Sequence, residues 1–560
     1  MAVVIGLIAG LGAVLFRCAI KYVDVWLRGD VVLTGFLHGV SGAFLPALGG
    51  LVAGLMLYGW CRNEKKQEMA EVLAAVVARG APIKLRVVAI RSLATAIFIG
   101  SGGSAGQVGP NIYIGGGLGS LIARVFRVPA HSARTLVACG CAGGIAATLN
   151  APVGGVLFTL EVILGSFGGS HLSLVVIATI SAVAVARAIM GPTPFFEVPP
   201  YVLHSFAELG FYAVLGLISG LFGVVYTKLF YFTNDCFNKL PHVPYPLKPV
   251  IGGLMVGIIG LWYPEALGLG EATIEAALVG DMAVTVLVAL TLAKLFATSI
   301  SLGCGIPGGV VAPALFMGAG LGGTLGYIFH FIWPQVAVEP CAYALVGMAA
   351  VLAASGHAPL AAIVILLEMS TDYSIILPLM VACVLSAAVA RGCFRYSIYT
   401  YSLAREGLDI EEEQRAGVLK GVLVRDVMSP QPQCLPAHIT VNQADAYLRG
   451  SSHQGFPVVD GDHLVGVITR NEILQAKASG RLNEKLLNVC QRKVIAVTPD
   501  DPVSIAARKL GEYDIGRVIV VDTNNPLQVV GVLTRTDIMK AYGQFSRATE
   551  GYYKSESAGF

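Results

Sequence analysis

Two glycine-rich runs in this chain each end on a proline. One reads Gly100-Ser101-Gly102-Gly103-Ser104-Ala105-Gly106-Gln107-Val108-Gly109-Pro110; the other reads Gly305-Ile306-Pro307-Gly308-Gly309-Val310-Val311-Ala312-Pro313. Proline suits the first turn of a helix, where no N–H is required. An apolar helix that starts there presents free backbone N–H groups and about half a positive charge, which attracts anions. Two such ends facing each other inside a bilayer would hold an anion without a buried cation, whose desolvation costs many kcal/mol. Taken singly, a glycine run reads equally well as close helix contact between small residues. Glu161 and Glu368 are intramembrane carboxylates, functional candidates by default. Each lies nine positions after an Ala-Pro pair, at Ala151-Pro152 and Ala358-Pro359. That symmetric placement favours helix capping or packing over chemistry.

The chain around these residues is lipid-like over most of its length. It has 560 residues, 55% hydrophobic and 13% charged, with a mean hydropathy of +0.72. Soluble proteins carry about 25% charged residues. Residues 1–400 hold 36 charged side chains and residues 401–560 hold 37. The first part therefore reads as embedded in lipid and the second as water-soluble, which excludes a generic soluble enzyme. A net charge of +3 gives no case for nucleic acid. The 11 cysteines and 10 histidines show no disulfide or metal-ligand spacing. Cys139 and Cys141 read as small packing residues. Met1–Phe16 lacks a basic leader region and reads as the first membrane helix.

Apolar stretches fall at 1–27, 40–60, 85–100, 109–127, 133–149, 151–165, 171–190, 207–233, 248–263, 283–302, 308–333, 341–356, 358–370 and 375–391. Several are shorter than the roughly 20 residues of a straight span. Broken helices in lipid must be shielded by protein or line a cavity. The sequence also repeats. Gly106 to Pro110 matches Gly309 to Pro313 at an offset of 203; Ala142, Ala146, Pro152 and Glu161 match Ala349, Ala353, Pro359 and Glu368 at an offset of 207. Paired, interrupted segments in two halves point to a binding site near the midplane.

These segments resemble the CLC family of chloride channels and transporters. Gly106 to Pro110 is similar to its G-R-E-G-P segment, Gly309 to Pro313 to its G-x-F-x-P segment, and Ser397-Ile398-Tyr399-Thr400 to the end of its last helix. Asn150-Ala151-Pro152 with Glu161, and Leu367-Glu368-Met369, also match. The resemblance implies an all-α polytopic membrane domain, an antiparallel inverted repeat of broken helices, over residues 1–405. It implies a homodimer with one pore per subunit. The anion would meet the N–H groups of Val310 and Val311 and the Tyr399 hydroxyl, with Gln107, Val108 and Gly109 facing it. Without the resemblance, Tyr399 reads as a membrane-interface aromatic.

Three departures from that family stand out. Val108 occupies the place of the gating glutamate. Val162 occupies the place of the inner proton glutamate that follows the position of Glu161. The family's early G-S-G-x-P segment, whose serine binds the anion, is replaced by the charged stretch Arg62 to Glu71, with Gln67 nearest the serine. That stretch lines an inner mouth, folds away from it, or is a solvated cytoplasmic loop. With neither carboxylate, the expectation is passive conduction of an anion, chloride by the family resemblance, without steep pH gating. The alternatives are a chloride/proton antiporter using a different proton path, through Glu161, and a non-conducting nucleotide sensor.

Residues 406–423 read as a linker containing an acidic run. After it, 424–478 and 487–544 are two βαββα-like blocks that resemble an α+β CBS pair, placed in the cytoplasm; 545–560 reads as a disordered tail. Thr534 and Asp537 have the T-x-x-D spacing that the resemblance links to ribose, and Thr469 with Glu472 is a weaker copy. An adenine nucleotide (ATP or AMP) is thus a candidate ligand, and a ligand-free dimerisation module is the equal alternative. No cofactor or metal is required and no residue is assigned a catalytic role. The protein is expected to be a multi-pass membrane protein, in the cell membrane if prokaryotic.

Overall fold

The computed structural model describes residues 1–28, 41–61, 67–77, 83–167, 169–192, 195–196, 198, 201, 205–240, 243–337, 339–407, 423–451, 455–492, 494–523 and 525–540. The acidic linker, the tail and residues 62–66 lie outside them. The chain forms two compact units, residues 1–410 and 411–560.

Unit one is helical. Its elements are α1 (Ala2–Arg28), α2 (Ser41–Cys61), α3 (Glu68–Val77), α4 (Leu85–Gly100), α5 (Val108–Val125), α6 (Ala130–Leu149), α7 (Pro152–Phe158) and α8 (Gly169–Met190). They continue as α9 (Glu208–Asn238), α10 (Lys248–Trp262), α11 (Glu271–Val279), α12 (Val284–Gly303), α13 (Val311–Ile332), α14 (Pro340–Gly356), α15 (Pro359–Ser370), α16 (Ile376–Cys393) and α17 (Tyr401–Arg405). Among the described residues nine helices are long and apolar enough to cross a membrane, α1 among them. At 31 residues, α9 would run about 46 Å, so it must tilt across a hydrocarbon core of about 30 Å. Exposed Leu11, Leu15, Phe44, Ile180, Leu221, Ile258 and Phe331 give the unit the apolar surface that lipid tolerates.

The expected stretches become helices with ends mostly within three residues of the sequence reading. Three additional short helices, α3, α11 and α17, come from segments too charged or too short to be read as apolar. Segment α7 continues as a single π-helical turn, Thr159–Leu164, which carries Glu161.

The repeat is visible in the backbone. Gly106 and Gly309 form an antiparallel bridge. Asn150 and His357, 207 apart, both end their helices at positive φ, 53° and 55°. A Cβ on Gly115 would stand 2.0 Å from the Gly140 carbonyl oxygen, and a Cβ on the repeat mate Gly318 would stand 2.4 Å from that of Gly347. Only glycine lets α5 lie on α6 and α13 on α14 at this distance. Cys141 lies in this same helix contact, and Cys139 beside it in sequence is also buried.

Unit two holds the two blocks, with a feature the sequence did not reveal. Helix α18 (Val424–Val427) and β1 (Ser429–Pro430) open the first block. Yet β1 pairs antiparallel with β7 (Val529–Thr534), beside β6 (Arg517–Val521) and β5 (Ala496–Val497) of the second block. Val424 is buried with Val497, Val503 and Val518. Conversely Leu486 and Cys490, which come after the first block ends at 478, are buried with that block's Leu435, Val458 and Ile468. That block's sheet is β2 (Leu435–Pro436), β3 (Gly455–Asp460) and β4 (His463–Thr469), with α19 (Val441–Arg449) between β2 and β3; α20 (Arg470–Ala478) follows β4 and α21 (Val503–Glu512) serves the second block. Arg517 Nη1 donates to Gly455 O at 2.7 Å and ties the blocks together.

Candidate anion site

Helices α5 and α13 begin at Val108 and Val311, and neither start is capped by its own side chain. The first N–H groups of each therefore have no partner four residues earlier. The loops ahead of them are held together directly: Gly106 N–H donates to Gly309 O and Gly309 N–H to Gly106 O, both at 2.8 Å. Gly309 must be glycine, since a Cβ there would stand 2.6 Å from the Gly109 amide nitrogen. Both runs singled out in the sequence thus meet, with two helix N-termini at one place.

A cavity of about 570 Å³ reaches this junction. Gly109, Val310, Val311 and Tyr399 line it together. Tyr399 is 6% exposed, so it is no membrane-interface aromatic. Ile398 N–H donates to Ser355 O at 2.9 Å, and Tyr231 OH donates to Ile398 O at 2.9 Å. The Tyr399 ring stands edge-on to Phe158 at 5.8 Å. These contacts fix where its hydroxyl can reach.

Gln107 and Val108 are not in the cavity wall. Val108 is 1% exposed and belongs to the apolar core. The Gln107 side chain turns the other way, its Nε2 donating to Glu271 Oε1 at 3.2 Å. Val162 is also buried in the apolar core.

Glu161 and Glu368 are reciprocal caps. Glu368 accepts from Val153 and Gly154 N–H at 2.9 and 2.7 Å, at the start of α7. Glu161 accepts from Leu360 and Ala361 N–H at 3.4 and 2.8 Å, at the start of α15. Each repeat's acid satisfies the orphan donors of the other repeat's broken helix.

The stretch around Gln67 corrects the reading of a solvated loop. Residues 68–77 are helical, and Gln67, Glu68 and Met69 line the cavity. Glu71 is tied down by Arg91, whose Nη1 stands 2.9 Å from Oε2, and by the Tyr113 hydroxyl at 2.8 Å. Arg91 also lies 5.7 Å from the Tyr113 ring centroid. This cluster has a counterpart. Lys294 is fully buried, donates to Ala266 O and Gly268 O at 3.1 and 2.8 Å, and lies 4.9 Å from the Phe316 ring. Arg91 and Lys294, Tyr113 and Phe316, and Glu68 and Glu271 are each 203 apart. The offset already found for the glycine runs would have exposed all three pairs.

In the second unit, Thr534 N–H and Oγ1 both donate to Asp537 Oδ2, at 3.0 and 2.7 Å. Thr469 N–H and Oγ1 donate to Glu472 Oε2 in the same way. Both pairs are helix-opening capping boxes. The hydroxyls and carboxylates proposed for ribose are engaged with each other. Among the described residues no group of His, Cys, Asp and Glu is arranged to hold a metal ion.

Residues 49–391 match the family model described as voltage gated chloride channel. Residues 424–479 and 487–544 each match that of the CBS domain. A ClcB-like protein of Ralstonia nicotianae is 32% identical over 416 residues, covering 72% of this chain and 96% of the relative. The H(+)/Cl(-) exchange transporter ClcA of Vibrio parahaemolyticus is 30% identical over 418 residues, 72% of this chain and 89% of the relative. Among solved structures, a slow cyanobacterial Cl-/H+ antiporter superposes with a TM-score of 0.68 at 24% identity, over 72% of this chain and 96% of its own. A eukaryotic CLC transporter does so with a TM-score of 0.63 at 21% identity, over 96% of this chain and 97% of its own.

Proposed function

The chain belongs to the voltage gated chloride channel family, and from that premise we propose that it is a passive anion conductor, for chloride or a related anion, not coupled to protons. The observation that carries this is the junction of the two glycine loops, where two uncapped helix N-termini meet at the head of a cavity that Tyr399 shares. Backbone amides of Val310 and Val311 and the Tyr399 hydroxyl replace part of the ion's hydration. Peptide dipoles supply the positive potential, weakly enough for the ion to leave. No covalent bond is made or broken, so the protein is no enzyme.

The uncoupled reading rests on residue types. Valine at 108 and at 162 cannot ionise, so neither can imitate an anion or carry a proton. Relatives bearing the name of exchange transporters keep the coupled reading in view, with Glu161 as the carboxylate of another proton path. The two N–H bonds at Glu161 support a cap instead. The working unit is a homodimer, as the family resemblance implies, with the CBS pair as its cytoplasmic regulatory part and an adenine nucleotide as that part's candidate ligand. In liposomes containing the full chain, chloride efflux should proceed without stoichiometric proton uptake. Proton movement at a fixed ratio to chloride overturns the uncoupled reading.

A further inference from the structure

The cavity holds a carboxylate to which the conduction pathway as described gives no task. Glu68 is the first residue of α3, lines the cavity with Gly109, Val310, Val311 and Tyr399, and is 4% exposed. Neither of its oxygens has a hydrogen-bond partner among the described residues. Its repeat mate shows the contrast: Glu271, also first in its short helix, accepts from Gln107 and pairs with Arg17 at 3.3 Å.

Charges around Glu68 can be followed element by element. On its own helix, Glu71 is spent on Arg91 and the Tyr113 hydroxyl. Arg91, on α4, and Tyr113, on α5, are thereby engaged. Cys61 of α2 lines the same cavity. Across it, Asp235 of α9 pairs with Arg405 at 2.8 Å. Tyr231, Tyr245 and Tyr399 line the wall as neutral phenols, and Lys248 and Glu406 add one charge of each sign. Among the described residues the cavity is therefore one negative charge in excess when Glu68 is ionised, and neutral when it is protonated. An ionised carboxylate without donors is costly to bury, and it repels any anion approaching through a low-dielectric space.

We propose that Glu68 is a proton-operated gate: ionised, it bars anions from the cavity, and protonated, it lets them reach the amides of Val310 and Val311 and the Tyr399 hydroxyl. The valine at 108 removes one titratable gate, and this carboxylate, from a different helix, supplies another. The proton stays on the side chain while anions pass, so no stoichiometric exchange follows. This inference rests on the conduction reading and adds the regulation of that site.

The test uses the full chain in liposomes at symmetric pH 7.5 and about 5. Wild-type chloride efflux should rise about tenfold or more at the lower pH, as removal of one nearby charge implies. Glu68→Gln should be fast at both pH values, and Glu68→Asp should keep the pH dependence. Wild-type efflux that is independent of pH overturns the proposal, as does a pH dependence carried over unchanged into Glu68→Gln. If the glutamine variant is not monodisperse on gel filtration, the wild type and Glu68→Asp are compared for chloride binding by calorimetry at both pH values. Tighter binding at the lower pH supports the gate, and equal binding overturns it. Wild-type chain that binds chloride but passes none at either pH sinks the conduction reading instead, while the binding comparison still decides the role of Glu68.

Discussion

Replacing Glu161 by glutamine separates a proton carrier from a helix cap. The carboxylate accepts from Ala361 N–H at 2.8 Å and more weakly from Leu360 N–H at 3.4 Å. A hydrogen bond to a charged group contributes about 1.5–3 kcal/mol and a neutral one about 0.5–1.5. Glutamine keeps one carbonyl oxygen for the shorter bond but loses the charge. Loss of a negative charge at a helix N-terminus costs about 0.3–1 kcal/mol more. Glu161→Gln should therefore destabilise the protein by about 1–2 kcal/mol. Glu368→Gln should cost more, about 2–3 kcal/mol, because both of its bonds are short, 2.9 and 2.7 Å. Thermal denaturation of the full chain in detergent, at one scan rate for all three proteins, gives the ranking: wild type, then Glu161→Gln, then Glu368→Gln. Chloride efflux in liposomes should persist in both variants. A Glu161→Gln protein as stable as wild type refutes the capping argument. So does wild-type proton flux that vanishes in this variant while chloride flux remains.

Val108→Glu should introduce acid-activated gating on top of whatever pH dependence the wild type shows, read as efflux against pH; an unchanged profile counts against the register assigned to Gly106 through Pro110. Gly309→Ala forces a Cβ to within 2.6 Å of the Gly109 nitrogen and 2.8 Å of the Gly106 oxygen. Overpacking of this kind costs about 1–3 kcal/mol; the loops must part, and chloride efflux should fall about tenfold in protein that remains monodisperse. Thr534→Ala removes a capping box and should destabilise the second unit by about 1 kcal/mol, measured as faster proteolysis within 424–540 of the full chain without added nucleotide. Equal proteolysis of the two proteins would show that the cap contributes nothing there.

Much of the architecture could be read along the chain. Glycine and proline mark where helices break, and hydropathy marks what lies between them, so α4 begins and ends where the apolar stretch 85–100 does, and α9 runs five residues past its expected end at 233. The offset of 203 identified the two loops that meet. Between the readings left open for the charged stretch, lining a mouth or a solvated loop, the sequence could not choose; of its described part, Gln67, Glu68 and Met69 line the cavity. In α3 Glu71 finds Arg91 on α4 and Tyr113 on α5, 20 and 42 positions away. No local pattern encodes that partnership.

The exchange of strands in the second unit escaped for a similar reason. A two-residue strand such as Ser429–Pro430 has no preference of its own, and its pairing with Val532 and Gly531 is a long-range choice. Local sequence by itself determined where the backbone is freed of its helical hydrogen bonds, since that depends on glycine, proline and apolar length. Only tertiary structure decided which freed donors share a cavity and which acids are spent as caps. It also left Glu68 on the wall of the cavity that Tyr399 lines, because a partner's position depends on how segments hundreds of residues apart come to lie against each other.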